Sequence, residues 1–318
     1  MEHRANLAID ARGLVRRFGA FTAVGGIDLR VRPGEVFGLL GANGAGKTTA
    51  IRMLCGTLPP TEGHIRIAGV DMVRRAREAR GRIGYVTQRF ALYGDLTVRE
   101  NLALQAGLYG LDRARSQRRI GWALERMELG RIAAERASSI PLGHQRRLAV
   151  AAALLHEPKV LFLDEPTSGI DPLARGQLWE LVYELAEGGV GVLITTHYMD
   201  EALFCDRLAL MHAGRVIVDG SPRELLERPL ATPILEVEAP RISECLPLLE
   251  RSDAFLEVVP HAGRLRARLS PGRDAEAAAR AIVAEAARCG VTLDRVAPAT
   301  PELEDVVVSL LEEHEAAS

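Results

Sequence analysis

The stretch Gly41-Ala42-Asn43-Gly44-Ala45-Gly46-Lys47-Thr48 decides the fold, because it fits the pattern G-x-x-x-x-G-K-[ST]. The apolar run Glu35–Leu40 before it predicts a short strand, and Thr48–Leu54 after it predicts a helix that ends near Gly56. Glycines between a strand and a helix let backbone N–H groups turn toward phosphates, and the helix N-terminus adds the positive end of its dipole. The sequence therefore predicts a loop that binds nucleotide phosphates.

Lys47 is one of only two lysines among 40 basic residues, the other being Lys159. A glycine-walled loop accepts a compact ammonium group more readily than the wide, planar guanidinium of arginine. We therefore expect Lys47 to contact the β- and γ-phosphates and the Thr48 hydroxyl to bind Mg²⁺. The predicted nucleotide-binding residues of this stretch are Gly41, Ala42, Asn43, Gly44, Ala45, Gly46, Lys47, Thr48 and Thr49.

A second apolar run, Val160–Glu165, predicts a strand of a parallel sheet that is buried on both faces. Its two acidic residues then lie at the carboxyl edge of the sheet, where open α/β sheets bind ligands. Successive side chains on a strand point in opposite directions, so the two carboxylates should have different roles. Asp164 suits the coordination of Mg²⁺, and Glu165 suits a general base for the attacking water. An acidic pair after a strand is, on its own, more often part of a solvated loop.

The composition allows a globular core, because 47% of the residues are hydrophobic and 26% are charged. A net charge of −2 gives no electrostatic reason to expect nucleic acid as a partner. The four cysteines lie far apart without a C-x-x-C pair, which favours a reducing compartment. Because Met1–Arg4 has no apolar region and no uninterrupted apolar run reaches about 18 residues, we expect neither a signal peptide nor a membrane span.

Four further segments make the chain similar to a known family. Over roughly its first 230 residues it resembles an ATP-binding subunit of ABC transporters. Asp164–Pro172 resembles the end of the Walker B strand running into the D-loop, and Thr195-Thr196-His197 resembles the switch histidine. Gln88 resembles the Q-loop glutamine, and Phe18 stands where the family has an aromatic ring that stacks on adenine.

The resemblance implies a role for each matching residue. It implies that His197 contacts the γ-phosphate and holds Glu165 and the water in position. It implies that Gln88 senses Mg²⁺ and relays the nucleotide state to a membrane partner. The implied catalytic residues are Glu165, His197 and Gln88; the implied metal ligands are Thr48, Gln88 and Asp164; Phe18, Pro141, Gly143 and Asp171 join the phosphate loop as nucleotide-binding residues.

One motif departs from the family pattern. Where the family has an LSGGQ signature that meets the partner subunit's ATP, this chain has Ile140-Pro141-Leu142-Gly143-His144. Pro141 offers neither a hydroxyl nor a backbone N–H, whereas Gly143 still presents its N–H at a helix N-terminus. The composite site is either weakened, or it closes on ATP through Gly143 and the helix dipole, as in a subgroup of multidrug-export ATPases that this chain resembles. Ser139 is the candidate for a replacement hydroxyl.

We predict two domains, an ATP-binding cassette over residues 1–230 and an accessory or regulatory domain over residues 231–318. A helical subdomain at about residues 90–150 should contain amphipathic helices at Asn101–Gln105 and Trp122–Met127. Its arginine-rich segment Arg113–Arg119 is either a solvated face or a contact for anionic lipid or nucleic acid.

The predicted fold is α/β: a P-loop cassette with a mostly parallel sheet, an antiparallel β part and the helical subdomain, followed by a small α+β domain. In that last part, alternation predicts strands at Ile234–Glu238 and Arg264–Leu269, and a short apolar run predicts a strand at Val291–Leu293. An alanine-rich helix is predicted at Ala275–Cys289, and another begins near Pro301. This order suggests a ferredoxin-like fold.

Together these patterns and the resemblance predict an ATPase that powers an exporter. We expect ATP and magnesium as cofactors, a separate multispan permease as partner, a homodimer or a heterodimer with a related ATPase, and no nucleic acid. The expected location is cytoplasmic, peripheral on the inner face of the cell membrane. The alternatives are a non-transport ABC ATPase that acts on ribosomes or nucleic acid, and an ATP-binding regulatory module with little turnover.

Overall fold

A computed structural model describes residues 7–88 and 90–316. The segment Met1–Arg4, on which the prediction about a signal peptide rests, lies outside the described residues. The chain divides into two compact units, Met1–Pro222 and Arg223–Ser318. The domain boundary at residues 230/231 stays a prediction.

The first unit contains two sheets. Its strands are β1 (Ile9–Phe18), β2 (Phe21–Val31), β3 (Val36–Leu40), β4 (Glu62–Ile67), β5 (Val70–Asp71), β6 (Ile83–Val86), β7 (Val160–Asp164), β8 (Gly191–Thr196), β9 (Arg207–His212) and β10 (Arg215–Gly220). The larger sheet has the order β10-β9-β3-β8-β7-β6, with parallel pairing everywhere except between β9 and β10. The smaller sheet has the antiparallel order β2-β1-β4-β5.

The helices of the first unit are α1 (Lys47–Leu54), α2 (Ala76–Arg80), α3 (Val98–Leu108), α4 (Arg113–Arg126), α5 (Leu142–Leu154), α6 (Pro172–Glu187) and α7 (Met199–Ala202), followed by α8 (Pro222–Leu226) at the division between the units. Helices α1, α5, α6 and α7 contact the larger sheet, whereas α2 contacts β5 and α3 and α4 pack with α5. Local sequence explains several helix starts. Thr97 and Glu100 form a reciprocal capping box before α3, and Asp171 caps α6 ahead of Pro172 at its first position.

Alternate residues of the central strands belong to different cores. On β7, Val160 and Phe162 pack in the cluster that contains Ile51 of α1, whereas Leu161 and Leu163 pack in the cluster that contains Leu148 of α5. This division follows from the two-residue period of a strand, and it explains why these strands read as continuous apolar runs. Hydrophobic cores thus pack against both faces of the larger sheet. Its carboxyl edge can therefore hold polar side chains in defined positions.

The second unit is a sheet with helices. Its elements are β11 (Ile234–Glu238), α9 (Ile242–Glu250), β12 (Phe255–His261), β13 (Arg264–Leu269), α10 (Ala275–Cys289), β14 (Arg295–Pro298) and α11 (Leu303–Ala316). The strand order is β12-β13-β11-β14, and all neighbours are antiparallel. A small core forms around Val237, Cys245 and Leu265.

The predicted strand at Val291–Leu293 is wrong. Gly290 ends α10 in the left-handed conformation, and the Val291 N–H donates to Ala286 O at 2.9 Å. Val291 therefore belongs to the C-terminal cap of α10 and does not start a strand. Pairing begins only at Asp294, whose N–H donates to Glu238 O at 2.8 Å.

In the part of the chain that the structure describes, no helix is long and apolar enough to cross a membrane.

Candidate active site

The phosphate loop connects β3 to α1 and brings its glycines close to other backbone atoms. Gly46, the residue before α1, has φ 106°, and a Cβ atom added there would lie 2.6 Å from Ala23 O. A Cβ atom on Gly41 would lie 2.3 Å from Met211 O. These two positions therefore require glycine, for its backbone freedom and for the space that a side chain would fill.

Lys47 is the first residue of α1, and its side chain is 5% exposed. Its Nζ donates to Gly41 O at 2.6 Å and to Ala42 O at 3.1 Å, and lies 3.8 Å from Glu165 Oε1. Burial lowers the pKa of Lys47, and the carboxylates of Glu165 and Asp164 oppose that shift. A bound phosphate would add negative charge beside this buried ammonium.

Asp164 ends β7 and forms polar contacts with residues of β8 and α1. Its Oδ1 accepts from Thr195 Oγ1 at 2.7 Å and from Thr48 Oγ1 at 3.3 Å. Its Oδ2 is buried and has no hydrogen-bond partner within residues 7–88 and 90–316. Burial raises the pKa of Asp164 despite these two hydroxyl donors. Such a carboxylate is suited to a positively charged ligand.

Glu165 follows β7, and its carboxylate is where three distant residues meet. Gln88 Nε2 donates to Glu165 Oε2 at 2.7 Å, while His197 Nδ1 and Lys47 Nζ lie 3.6 Å and 3.8 Å from Oε1. The backbone of Glu165 has φ 48°, a left-handed conformation that is uncommon outside glycine. Its N–H donates to Thr195 Oγ1 at 3.0 Å, which helps to hold this conformation.

Sequence reasoning did not assign a site role to Thr195. This residue lies on β8 and is fully buried, where its hydroxyl contacts both acidic residues. Parallel strands end at one edge of a sheet, so polar residues at the end of β8 must approach those at the end of β7. The Cα pairing of Asp164 with Thr195 shows this directly. The polar end of an otherwise apolar strand was the available signal.

Four predicted nucleotide-binding residues lie outside the phosphate loop. Phe18 ends β1, is 46% exposed, and has the Arg16 guanidinium 4.5 Å from its ring centroid. Pro141 stands before α5 with no side-chain cap, and Gly143 is in the first turn of that helix. Asp171 accepts from the N–H groups of Leu173 and Ala174 at the start of α6. Their roles in nucleotide binding stay predictions.

The N-terminal ends of α5 and α6 border one cavity. Gly143 lines it together with Pro166 and Ile170, which belong to the segment between Glu165 and α6. Its volume is about 220 Å³. The segment that resembles the signature and the one that resembles the D-loop are therefore neighbours within one chain.

Known proteins share these features. Residues 24–168 match the family model described as ABC transporter. The chain is 45% identical over 217 residues to the probable multidrug ABC transporter ATP-binding protein YbhF of Escherichia coli K12, a match that covers 68% of this chain and only 38% of that protein. It is 41% identical over 251 residues to the Nod factor export ATP-binding protein I of Paraburkholderia xenovorans, covering 77% of this chain and 83% of the relative.

The architecture also matches solved structures. One is described as the dimeric structure of MJ0796, a bacterial ABC transporter cassette; its TM-score is 0.63 at 26% identity, with 67% of this chain and 98% of that chain covered. This likeness confirms the predicted fold class of the cassette. Together with the identity and coverage of the relatives, it shows that this chain belongs to the ABC transporter family, as an ATP-binding protein of that family.

Proposed function

We propose that this chain hydrolyses ATP and thereby powers export through a separate membrane permease. The observation that carries the proposal is the convergence of Gln88, Lys47 and His197 on the carboxylate of Glu165. These residues come from different elements and meet beside the phosphate loop. A carboxylate held in this way can orient a water molecule and accept its proton as the water attacks the γ-phosphate.

The remaining work of the site is to position phosphates and stabilise charge. Backbone N–H groups of the loop and of the first turn of α1 bind the phosphates, and Lys47 adds a buried positive charge. The hydrogen bond from Gln88 orients Glu165 before the substrate arrives, and His197 lies beside the same carboxylate. Such preorganisation lowers the barrier because the groups need not reorient during the reaction.

We propose that Mg²⁺ accompanies the nucleotide at Thr48, Asp164 and Gln88. The residues fit this ion, because Asp164 Oδ2 is a buried carboxylate oxygen without a partner among the described residues and Thr48 Oγ1 is within 3.3 Å of Oδ1. Hydroxyl, carboxylate and amide oxygens are the ligands that this ion prefers. The bound ion would neutralise charge on the phosphates.

We propose a dimer as the active form, either with a second copy or with a related ATPase. The N-terminus of α5 exposes Leu142 to 47% and places no side chain on Gly143, so this end is available to a nucleotide held by another subunit. MJ0796, to which this fold is similar, is described as dimeric.

We propose that the permease contacts the helical subdomain, which lies between Gln88 and α5. The names of the relatives, a Nod factor export protein and a probable multidrug transporter protein, support export as the direction of transport. Contact with the permease would place the chain at the inner face of the cell membrane. For the second unit, whose strand order is β12-β13-β11-β14, we propose a ferredoxin-like accessory domain that is regulatory in role.

Phosphate release tests this proposal. The full chain, reconstituted with its permease in vesicles, should release phosphate from MgATP, and Lys47→Ala should abolish it by removing the buried charge. The alternative of a binding module with little turnover rests on Pro141 in the signature. ATP binding by the wild type without phosphate release would establish that alternative and overturn the proposal.

A further inference from the structure

An ion pair between a half-buried arginine and a buried glutamate joins α6 to the segment after His197. Glu201 of α7 has a side chain that is 1% exposed, and its Oε1 lies 2.9 Å from Arg175 Nε of α6. Neither atom makes a hydrogen bond in the described part of the chain, so the contact is one of charge. A carboxylate buried this completely needs an opposite charge, and removal of its partner would leave it uncompensated.

The same carboxylate also fixes the residues on both sides of His197. Glu201 Oε2 accepts from Thr196 Oγ1 at 2.7 Å, and that hydroxyl accepts from the Tyr198 N–H at 2.9 Å. The ring of Tyr198 lies 4.1 Å from that of His197, and the Arg175 guanidinium lies 5.8 Å from the Tyr198 ring. The backbone before and after His197 is therefore connected to one buried acid.

Arg175 connects this acid to the segment that begins at Glu165. Its backbone N–H donates to Asp171 O at 3.0 Å, so it lies one turn into α6. The ion pair thus links the segment 165–175 to the segment 196–201. At the other end of these segments the Glu165 N–H donates to Thr195 Oγ1, and His197 Nδ1 lies 3.6 Å from Glu165 Oε1 without a hydrogen bond between them.

From this arrangement we infer that Arg175 and Glu201 are positioning residues that set the distance between His197 and Glu165 during ATP hydrolysis. This inference rests on the proposed function and deepens it. Neither residue lies in the polar cluster around Glu165; both act through His197 and Glu165. Their loss should therefore lower kcat while leaving KM for ATP nearly unchanged.

Glu201→Gln is the central variant, because the amide keeps an oxygen for Thr196 and loses the charge that attracts Arg175. We expect kcat of the full chain to fall about 10-fold or more with KM within about threefold, since misplacement of a reacting group by about 1 Å can cost 100-fold. Arg175→Met should have the same effect, and Arg175→Lys should recover part of kcat because it retains the charge. The double variant should lose no more than the worse single variant, since both remove one interaction.

Glu35→Gln is the matched control. Glu35 is also a buried carboxylate, 6% exposed, and its Oε1 pairs with Arg207 at 3.0 Å. It lies next to the first residue of β3, at the opposite edge of the sheet from His197. The two Glu→Gln variants should lose comparable thermal stability, while only Glu201→Gln should lose kcat.

A second readout does not depend on turnover. The side-chain NMR resonance of His197, assigned with His197→Gln, should shift or broaden in Glu201→Gln and stay unchanged in Glu35→Gln. Wild-type kcat and an unmoved His197 resonance in Glu201→Gln would overturn the inference and leave the proposed function intact. An inactive wild type would refute the proposed function, and the resonance would still decide whether the ion pair positions His197.

Discussion

Gln88 Nε2 donates to Glu165 Oε2 at 2.7 Å, which joins the second residue after β6 to the first residue after β7. These two residues lie 77 positions apart in the sequence. The hydrogen bond uses the amide nitrogen of Gln88 and not its oxygen. One side chain can therefore hold the acid and present an oxygen ligand to a cation.

Loss of this hydrogen bond should slow turnover without unfolding the protein. In Gln88→Ala, we expect kcat to fall about 10- to 100-fold, because Glu165 loses the donor that orients it. Steady-state phosphate release by the full chain measures the change. His64→Ala, at an exposed position on β4, serves as a control and should remain at the wild-type rate. A Gln88→Ala protein as fast as this control would contradict the positioning role.

Glu165→Gln should separate ATP binding from hydrolysis. The amide keeps the size of the side chain but accepts no proton, so kcat should fall about 100- to 10,000-fold. ATP should still bind, and the bound nucleotide should hold two subunits together. Analytical ultracentrifugation with MgATP should show a dimer, and a variant that stays monomeric when loaded with ATP would count against a shared two-site dimer.

The signature should be sensitive to charge at Gly143 and insensitive to the hydroxyl of Ser139. A Cβ atom on Gly143 would meet nothing within 4 Å, so Gly143→Asp should fold, with a gain of about 0.3–1 kcal/mol at a helix N-terminus. Its negative charge should nevertheless repel the nucleotide of the partner and abolish the ATP-dependent dimer.

Ser139→Ala is the matched neutral change. Ser139 Oγ donates to Arg136 O at 2.8 Å, so its hydroxyl already has a local partner. We expect its turnover to stay within about twofold of wild type, consistent with a surface substitution. Loss of turnover in this variant would instead assign the hydroxyl the role that Pro141 cannot fill.

Gly46 should be far more costly to replace than Gly44. In Gly46→Ala the new methyl group would lie 2.6 Å from Ala23 O on a backbone with φ 106°, and we expect more than about 2 kcal/mol of destabilisation. Gly44 has φ 84° but open space around it, so Gly44→Ala should cost only about 1–2 kcal/mol. Calorimetric unfolding of the nucleotide-free variants compares the two. Equal losses would show that conformation alone, and not the close approach, limits position 46.

Acid should destabilise the first unit through His156. Its ring stacks on Tyr109, its Nε2–H donates to Ile83 O at 2.9 Å, and burial lowers its pKa to about 4. The folded-state pKa lies below the unfolded value, so the neutral ring stabilises the fold above about pH 6.5 and this contribution is lost as the pH falls toward 4.

The loss should approach about 3 kcal/mol over this interval, from a shift of roughly two units or more. Denaturant unfolding between pH 7 and pH 4.5 measures this loss. In His156→Phe, the number of protons that the chain takes up on unfolding should fall by about one. His64→Ala, in which an exposed histidine is lost, should keep the full dependence. The same acid sensitivity in His156→Phe as in wild type would reject this assignment.

The sequence predicted the site best where chemistry and geometry demand one residue type. Gly41 and Gly46 approach backbone oxygens of other segments too closely for any side chain, so the phosphate loop has a recognisable pattern. The strand that ends at Asp164 was also predicted correctly, because burial of both faces of β7 produces a continuous apolar run. These local constraints carry most of the cassette fold.

The sequence pattern did not predict the contacts between distant segments. Thr195 reaches both acidic residues only because β7 and β8 are adjacent, and the pairing of Arg175 with Glu201 depends on how α6 packs beside α7. Val291–Leu293 is apolar like a strand, yet the helix termination at Gly290 determines its conformation. Periodicity reports burial, and it does not report which neighbour a residue will meet.

The left-handed backbone of Glu165 limits which residue types can replace it during evolution. A backbone with φ near 48° costs little conformational free energy for Gly, Asn or Asp, and much more for a β-branched residue. Relatives that have lost the acid should therefore carry a short or unbranched residue here, in place of Val, Ile or Thr. The backbone thus limits which inactive descendants can arise by single substitutions without loss of the fold.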